Sequence, residues 1–494
     1  MVTLVEFGDR LAIVDPIGAW TFAEVDALAG QVARELRPDE GDLGEDRVAL
    51  LAEPGHRFVS AALGVWRAGG MLVPLLPSHP EPELRYLLDD AAASTIVATP
   101  SYAALATAIA DGRRVTVTPE FGATLSGSSG TRVGGRSPAV VDGGRAALMI
   151  HTSGTTGRPK GVVHTHASLA AMVDGMIAAW AWTPADRTVL VLPLNHVHGL
   201  VNVTMTALAV GAVCEAPGAF DAVAVWERFA SGEVTVFMAV PTIYARLVAA
   251  WETADASTRR RWSAGARGLR LMVSGSAALP VSTLDRWREL TGHTLLERYG
   301  MSELGMVLSN TLDRREPGHV GWPFPGVEVR LVGDSGVDVV DGEPGELLVR
   351  GPNVFREYWG RPTATVEAFV DGWFRTGDIA VRGPAGYRLL GRSSVDIIKS
   401  GGEKISAIDI EETYRQHPDV ADLAVVGVPD DEWGERVSAA VVARAGGALD
   451  VDELRTWGKQ RLAAAKVPSR WLVVADLPRN TMGKVVKPTV REWF

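Results

Sequence analysis

Short apolar runs, each closed by turn residues and set between helical stretches, recur along most of this chain, and that rhythm narrows the fold more than any other feature. From residue 26 to about residue 140 the runs include Arg47-Val48-Ala49-Leu50-Leu51 and Ser94-Thr95-Ile96-Val97-Ala98. Such spacing predicts βα units around a buried parallel sheet. The rhythm resumes at residues 188–192, 235–239 and 269–273, each run leading into a turn with Pro or Gly. Residues 122–145, rich in Gly and Ser and without apolar period, read as a surface loop, and residues 147–150 as a strand feeding a loop of small hydroxyl residues. Between residues 326 and 351 the pattern changes to strands with turn signals (327–332 and 345–349), the mark of a smaller antiparallel unit. Beyond Gly391 a last region carries its own helices and strands, among them residues 408–417 and 422–426.

The expected fold is therefore α/β. A large amino-terminal domain (1–391), built of βα subdomains plus a small antiparallel β unit, is followed by a hinge (392–396) and a mobile α+β carboxy-terminal domain (397–494). A chain of 494 residues is too long for one compact core. No internal repeat is evident.

The formal charge of −10 argues against a nucleic-acid partner, because such binding draws its affinity from neutralising phosphates. Cys214 is the sole cysteine, which excludes an internal disulfide and a cysteine-built metal site and fits a reducing compartment. Residues 1–10 lack the basic start and apolar core of a signal peptide, and the apolar stretch 199–214 is too short to cross a bilayer. A cytoplasmic protein without a membrane span is expected.

The strongest local signal is His151-Thr152-Ser153-Gly154-Thr155-Thr156-Gly157-Arg158-Pro159-Lys160-Gly161. Glycines and hydroxyl residues straight after a strand can set backbone N–H groups and side-chain donors around phosphate oxygens, and Lys160 adds charge as pyrophosphate forms. The spacing of a Walker A loop is absent. A flexible Ser/Gly turn is the bland alternative. Farther on stand Leu192-Pro193-Leu194-Asn195-His196-Val197-His198-Gly199, Glu297-Arg298-Tyr299-Gly300-Met301-Ser302-Glu303, Arg375-Thr376-Gly377-Asp378, Gly391-Arg392 and Pro478-Arg479-Asn480-Thr481-Met482-Gly483-Lys484.

This ordered set resembles the adenylate-forming superfamily of acyl-CoA synthetases, peptide-synthetase adenylation domains and luciferases. The resemblance implies ATP, Mg2+ and CoA as cofactor, metal and cosubstrate, with a small carboxylic acid as substrate. It implies that Thr152, Ser153, Gly154, Thr155, Thr156 and Lys160 hold phosphate. Ser274, Ser276, Ala277, Arg298, Tyr299, Gly300, Met301 and Ser302 would line the nucleotide, Asp378 and Arg392 would serve the ribose, and Tyr299 can stack on adenine. Glu303 and Thr156 are the expected magnesium ligands, since Mg2+ takes few protein oxygens. Lys484 would swing in as the catalytic cation of adenylation. Ser400, Gly401 and Gly402 resemble the segment that replaces it when CoA attacks, their glycines letting backbone pass near the pantetheine arm. Exchange of the two needs rotation about residues 392–396, with Asp396 or Ser394 as pivot. Glu403 departs from the aromatic residue expected beside that segment, and Trp322 is bulkier than expected between Gly321 and Pro323.

The residues around Val240-Pro241-Thr242-Ile243-Tyr244-Ala245-Arg246, Ser274-Gly275-Ser276 and Glu297-Arg298-Tyr299 are similar to malonyl- and methylmalonyl-CoA synthetases. A buried guanidinium without a partner is costly, so cations in an apolar acyl pocket imply an anionic tail on the substrate. Arg246 is the expected clamp for the distal carboxylate, with Ser274 and His198 as polar neighbours and Arg298 serving either that carboxylate or the adenylate. Against this, Arg246 could lie on the solvent face of its helix, and Arg298 could be satisfied by Glu297 or another carboxylate. His164/His166 and His196/His198 lack a further ligand at metal spacing. A ligase for monocarboxylic acids, an adenylation domain loading a carrier protein and a catalytically silent nucleotide-binding protein are the competing functions.

Overall fold

The computed structural model describes residues 5–37, 41–118, 142–152, 159–401, 403–444, 449–479 and 484–494. Ser153, Gly154, Thr155, Thr156 and Gly402 lie outside them, as does most of the 122–145 loop.

The apolar runs build two sheets that share a core. One has seven strands, in the order Glu357–Tyr358, Lys160–Thr165, Ala146–Thr152, Met71–Pro74, Arg47–Leu51, Thr95–Ala98 and Arg114–Val117. Its strands are buried on both faces: Val48, Leu50 and Leu72 enter one core, while Ala49, Leu51, Met71 and Val73 enter another. Two-sided burial is why these runs read as continuous apolar stretches. The second sheet has nine strands, with six in parallel succession from Leu296–Met301 through Leu271–Ser274, Val236–Ala239, Arg187–Val189 and Val213–Glu215 to Leu11–Asp15. Helices Phe22–Leu36, His56–Arg67 and His166–Trp180 fill the core between the two sheets.

The parallel expectation holds for the interior of both sheets and fails at their edges. Strands Ala146–Thr152 and Lys160–Thr165 form an antiparallel hairpin, as do Leu296–Met301 and Gly305–Ser309. Both hairpins carry candidate site residues. The smaller unit is antiparallel as expected, built on Glu328–Val332, Gly345–Arg350, Trp373–Gly383 and Gly386–Arg392. The chain leaves that sheet at Arg392 and enters the carboxy-terminal sheet with Ile397–Ser400.

The apolar stretch 199–214 becomes a buried π-helix, His198–Met205, a short helix Thr206–Ala209 and strand Val213–Glu215. The hydroxyls of Thr204 and Thr206 donate to the carbonyls of Gly199 and Val201, five residues back. Gly199 is required, since a Cβ there would lie 2.3 Å from the Pro193 carbonyl oxygen. Wide helical turns of this kind gather at functional sites, and this one begins on His198. Among the described residues no helix is long and apolar enough to cross a membrane.

Candidate active site

The hairpin that carries Thr152 and Lys160 is braced from one helix. Thr152 and Lys160 are register partners at its end. From helix Glu81–Asp90, the Tyr86 hydroxyl donates to the Pro159 carbonyl at 2.9 Å, and one turn on, Asp90 lies 3.3 Å from His151 Nε2 and 2.6 Å from Arg361. Burial pushes the Asp90 carboxyl up, but His151 and Arg361 outweigh it and hold the pKa below the ordinary value. Both flanks of the loop are thus held by two side chains four residues apart.

Tyr358 is the next link. Its hydroxyl donates to Glu303 Oε1 at 2.8 Å, and Lys160 Nζ stands 5.4 Å from its ring centre. Glu303 is 7% exposed, and burial raises its pKa. A buried carboxylate with one hydroxyl partner suits a hard cation that completes its shell with phosphate and water, so Glu303 fits the magnesium role.

Register brings Asp378 and Arg392 together, the two lying opposite each other on adjacent strands. Arg392 Nε donates to Asp378 Oδ1 at 3.0 Å, and Oδ2 accepts from the Tyr299 hydroxyl. Tyr299 therefore meets Asp378 through its hydroxyl.

Beside it, Arg298 is 3% exposed and forms no ion pair among the described residues. Its Nη2 lies 2.7 Å from Nε2 and 2.8 Å from Nδ1 of His198, whose Nδ1 is 3.1 Å from Ser276 Oγ. With Nδ1–H donating to Ser276, the Nε2 lone pair accepts from Arg298, a tautomer that satisfies both contacts. Burial, and then Arg298, push the His198 pKa well down, so the ring is neutral. Burial lowers Arg298 to about 9, and it stays charged at neutral pH. Gly275 makes room for it, since a Cβ there would be 2.5 Å from Arg298 Nε. Ser276 adopts a positive φ of 69°, Ser274 is buried and Ala277 exposed. Gly300 permits a bulge beside Tyr299, a Cβ there meeting the Gly305 carbonyl at 2.0 Å, and the Ser302 carbonyl accepts from the buried His164 at 2.7 Å. Met301 is half-buried.

The two arginines stand in different surroundings. Arg246 is exposed, its guanidinium 4.6 Å over the Phe220 ring, because Ile243, Tyr244 and Leu247 take the buried side of helix Pro241–Thr253. Glu297 does not neutralise Arg298: strand alternation turns it away, and its Oε1 accepts from the Gly318 N–H at 2.7 Å. Among the described residues Arg298 is a buried cation without a carboxylate partner.

Lys484 reaches this constellation from the other domain. Desolvation by the surrounding protein lowers its pKa, Asp378 opposes the shift, and Arg392 and Arg298 add to it. Burial lowers the pKa values of His196 and His198, and the same ammonium adds to both shifts. Ser400 and Gly401 stand elsewhere, on a hairpin of the carboxy-terminal sheet, with the Gly401 N–H donating to the Trp433 carbonyl. Trp322 is 38% exposed and meets Tyr387 edge-on, outside the packed core.

Residues 3–359 match the AMP-binding enzyme family, and residues 409–484 match the AMP-binding enzyme C-terminal domain. The chain belongs to the AMP-binding enzymes. Among relatives of this AMP-binding enzyme, the mitochondrial malonate–CoA ligase ACSF3 of Mus musculus is 45% identical, covering 97% of this chain and 88% of that protein. Among solved structures, ATP-bound MatB from Rhodopseudomonas palustris superimposes with a TM-score of 0.88 at 34% identity, covering 99% and 98% of the two chains. A malonyl-CoA ligase in ternary product complex with methylmalonyl-CoA and AMP is 36% identical, covers 96% and 97%, and reaches only 0.68.

Tyr86, Asp90 and Tyr358 escaped sequence reasoning. They stand outside the motifs and meet their partners across long separations in the chain. The available signal was indirect: an Asp at a helix end and two tyrosines that each follow a charged residue, none of them distinctive.

Proposed function

We propose that this enzyme joins malonate, or methylmalonate, to CoA in two steps at one site. In the first, a substrate carboxylate oxygen attacks the α-phosphorus of ATP and the bond to pyrophosphate breaks, leaving the acyl-adenylate. In the second, the CoA sulfur attacks the acyl carbon, its proton is lost and AMP departs.

The observation that carries the substrate is Arg298, a charged, buried guanidinium without a carboxylate, whose neighbour His198 is held neutral. A dicarboxylic acid brings the missing anion. Arg246, exposed near Phe220, is the second candidate, able to close over the tail from solvent. Malonate is also the substrate printed in the names of the relatives.

Lys484 stabilises charge on the carboxylate and α-phosphate oxygens, Lys160 holds the departing pyrophosphate, and the Asp378–Arg392 pair fixes the ribose. Glu303, with Thr156, would hold Mg2+, which neutralises phosphate charge when bound. For thioester formation the carboxy-terminal domain turns about residues 392–396 and brings Ser400, Gly401 and Gly402 to the adenylate. The higher likeness to an ATP-bound relative than to a product complex supports an adenylation arrangement here. A cytoplasmic location suits the free, buried Cys214. The mammalian relatives are described as mitochondrial, and fractionation of the source cells separates the two.

Malonate-dependent exchange of pyrophosphate into ATP tests the first step. Lys484→Ala is expected to abolish exchange and still convert supplied malonyl-adenylate to malonyl-CoA. Undiminished exchange by that variant would overturn the assignment.

A further inference from the structure

Three residues beyond Lys484, a second lysine is placed quite differently. Lys487 is 9% exposed, and its Nζ lies 2.6 Å from Asp396 Oδ1 and 2.8 Å from Glu411 Oε1. Burial works against its charge, but the two carboxylates prevail and its pKa is raised. A buried ammonium held at two points is a rigid peg, not a solvated tail.

The peg ends on the hinge. The second oxygen of Asp396, Oδ2, accepts the Arg392 backbone N–H at 3.0 Å, and the Asp396 N–H donates to the Arg392 carbonyl at 2.7 Å. Arg392 in turn holds Asp378. Gly391, at φ 124°, lets Asp396 approach so closely that a Cβ would fall 2.3 Å from that of the aspartate. An unbroken series of polar contacts thus runs from Lys487 through Asp396 and Arg392 to the ribose carboxylate.

The Lys484 segment is also pinned at its base. Val486 N–H donates to the Pro478 carbonyl at 2.8 Å, Arg479 pairs with Val485, and the Arg479 guanidinium bonds Asp422. These contacts lie within the carboxy-terminal body, as does Lys487–Glu411. The Arg392–Asp396 turn is different, because it spans the residues about which that body turns.

We propose that Lys487 is a positioning residue for adenylation: its ion pair with Asp396 transmits the closed setting of the 392–396 turn to the segment that presents Lys484. The carboxylate that senses the turn is the one that anchors the lysine arm. When the turn opens, Asp396 loses the Arg392 N–H, its carboxylate reorients, and the arm loses its hinge-side peg. The inference rests on the two-step function proposed above.

The test measures both half-reactions, malonate-dependent pyrophosphate exchange and CoA capture of supplied malonyl-adenylate, in the full-length enzyme. Lys487→Gln is expected to slow exchange by about twentyfold or more while CoA capture stays within about threefold, and Lys487→Arg to recover most of the exchange. Because Lys487 acts through Asp396, Lys487→Gln combined with Asp396→Asn should exchange no more slowly than the worse single variant. Equal loss of both half-reactions in Lys487→Gln would make the lysine a stability element and overturn the proposal, as would no recovery in Lys487→Arg or additive losses in the double variant. Absence of malonate-dependent exchange in the unaltered enzyme would instead count against the proposed function.

Discussion

The Arg298 guanidinium lies 2.7 Å from His198 Nε2, so a buried cation is held by a neutral ring instead of by a carboxylate. A protein seldom retains such a charge unless a partner arrives from outside, because the desolvation is offset only by a well-placed anion. The π-helix that begins on His198 and the glycine that makes room for Arg298 both serve this contact.

A pH dependence follows. Burial lowers the Arg298 pKa to about 9. Activity on malonate should therefore fall as pH rises through about 9. Lys484, also lowered, acts on every acid alike. The ratio of kcat/KM for malonate to that for acetate isolates Arg298: it should drop between pH 8 and 10, whereas a constant ratio would detach Arg298 from the tail carboxylate.

Tyr358→Phe removes the hydroxyl that orients Glu303. Outer hydrogen bonds to metal ligands typically alter affinity by about 10–100-fold. Half-saturating Mg2+ in the pyrophosphate-exchange assay should rise by about tenfold, with the KM for malonate little changed.

Tyr86→Phe and Asp90→Asn each free one flank of the phosphate loop. Each should raise the KM for ATP several-fold, and the double variant should exceed either. An unaltered ATP response in all three, measured by steady-state kinetics, would reduce the bracket to packing.

Glu297 shows the opposite linkage. Burial, with Glu412 of the carboxy-terminal domain adding to it, raises its pKa to about 8. The folded state thus holds a proton that the unfolded state releases near pH 4.5, and stability declines as pH rises from there to about 8. Glu297→Gln keeps an acceptor for Gly318 N–H and removes the titration. Its Tm should gain on the unaltered protein as pH goes from 5 to 9.

What was legible in the sequence follows from where each residue's partner sits. Asp378 and Arg392 lie on neighbouring strands of one hairpin, so local motifs and local pairing coincide. The runs at 47–51 and 95–98 announced a buried sheet because both of their faces are covered. The phosphate loop could be named from its letters, yet its supports could not: Tyr86 meets Pro159 from 73 residues away, and Tyr358 meets Glu303 from 55. The exposure of Arg246 was within reach, since Ile243, Tyr244 and Leu247 mark the buried stripe of its helix. Family resemblance drew attention to that arginine, whereas burial singles out Arg298. The stretch at 199–214 gave no helical period because its first turns are π-helical.

The central claim is that a buried cation selects a dicarboxylic acid. Its most direct measurement is kcat/KM for malonate, methylmalonate, succinate, acetate and butyrate in AMP release, for the unaltered enzyme and Arg298→Gln. Losing the partner of a buried charge costs about 3–5 kcal/mol, or about two to three and a half powers of ten. Malonate or methylmalonate should lead acetate and butyrate by about that factor, and Arg298→Gln should erase most of the lead. Equal or better activity with acetate or butyrate in the unaltered enzyme would contradict the account.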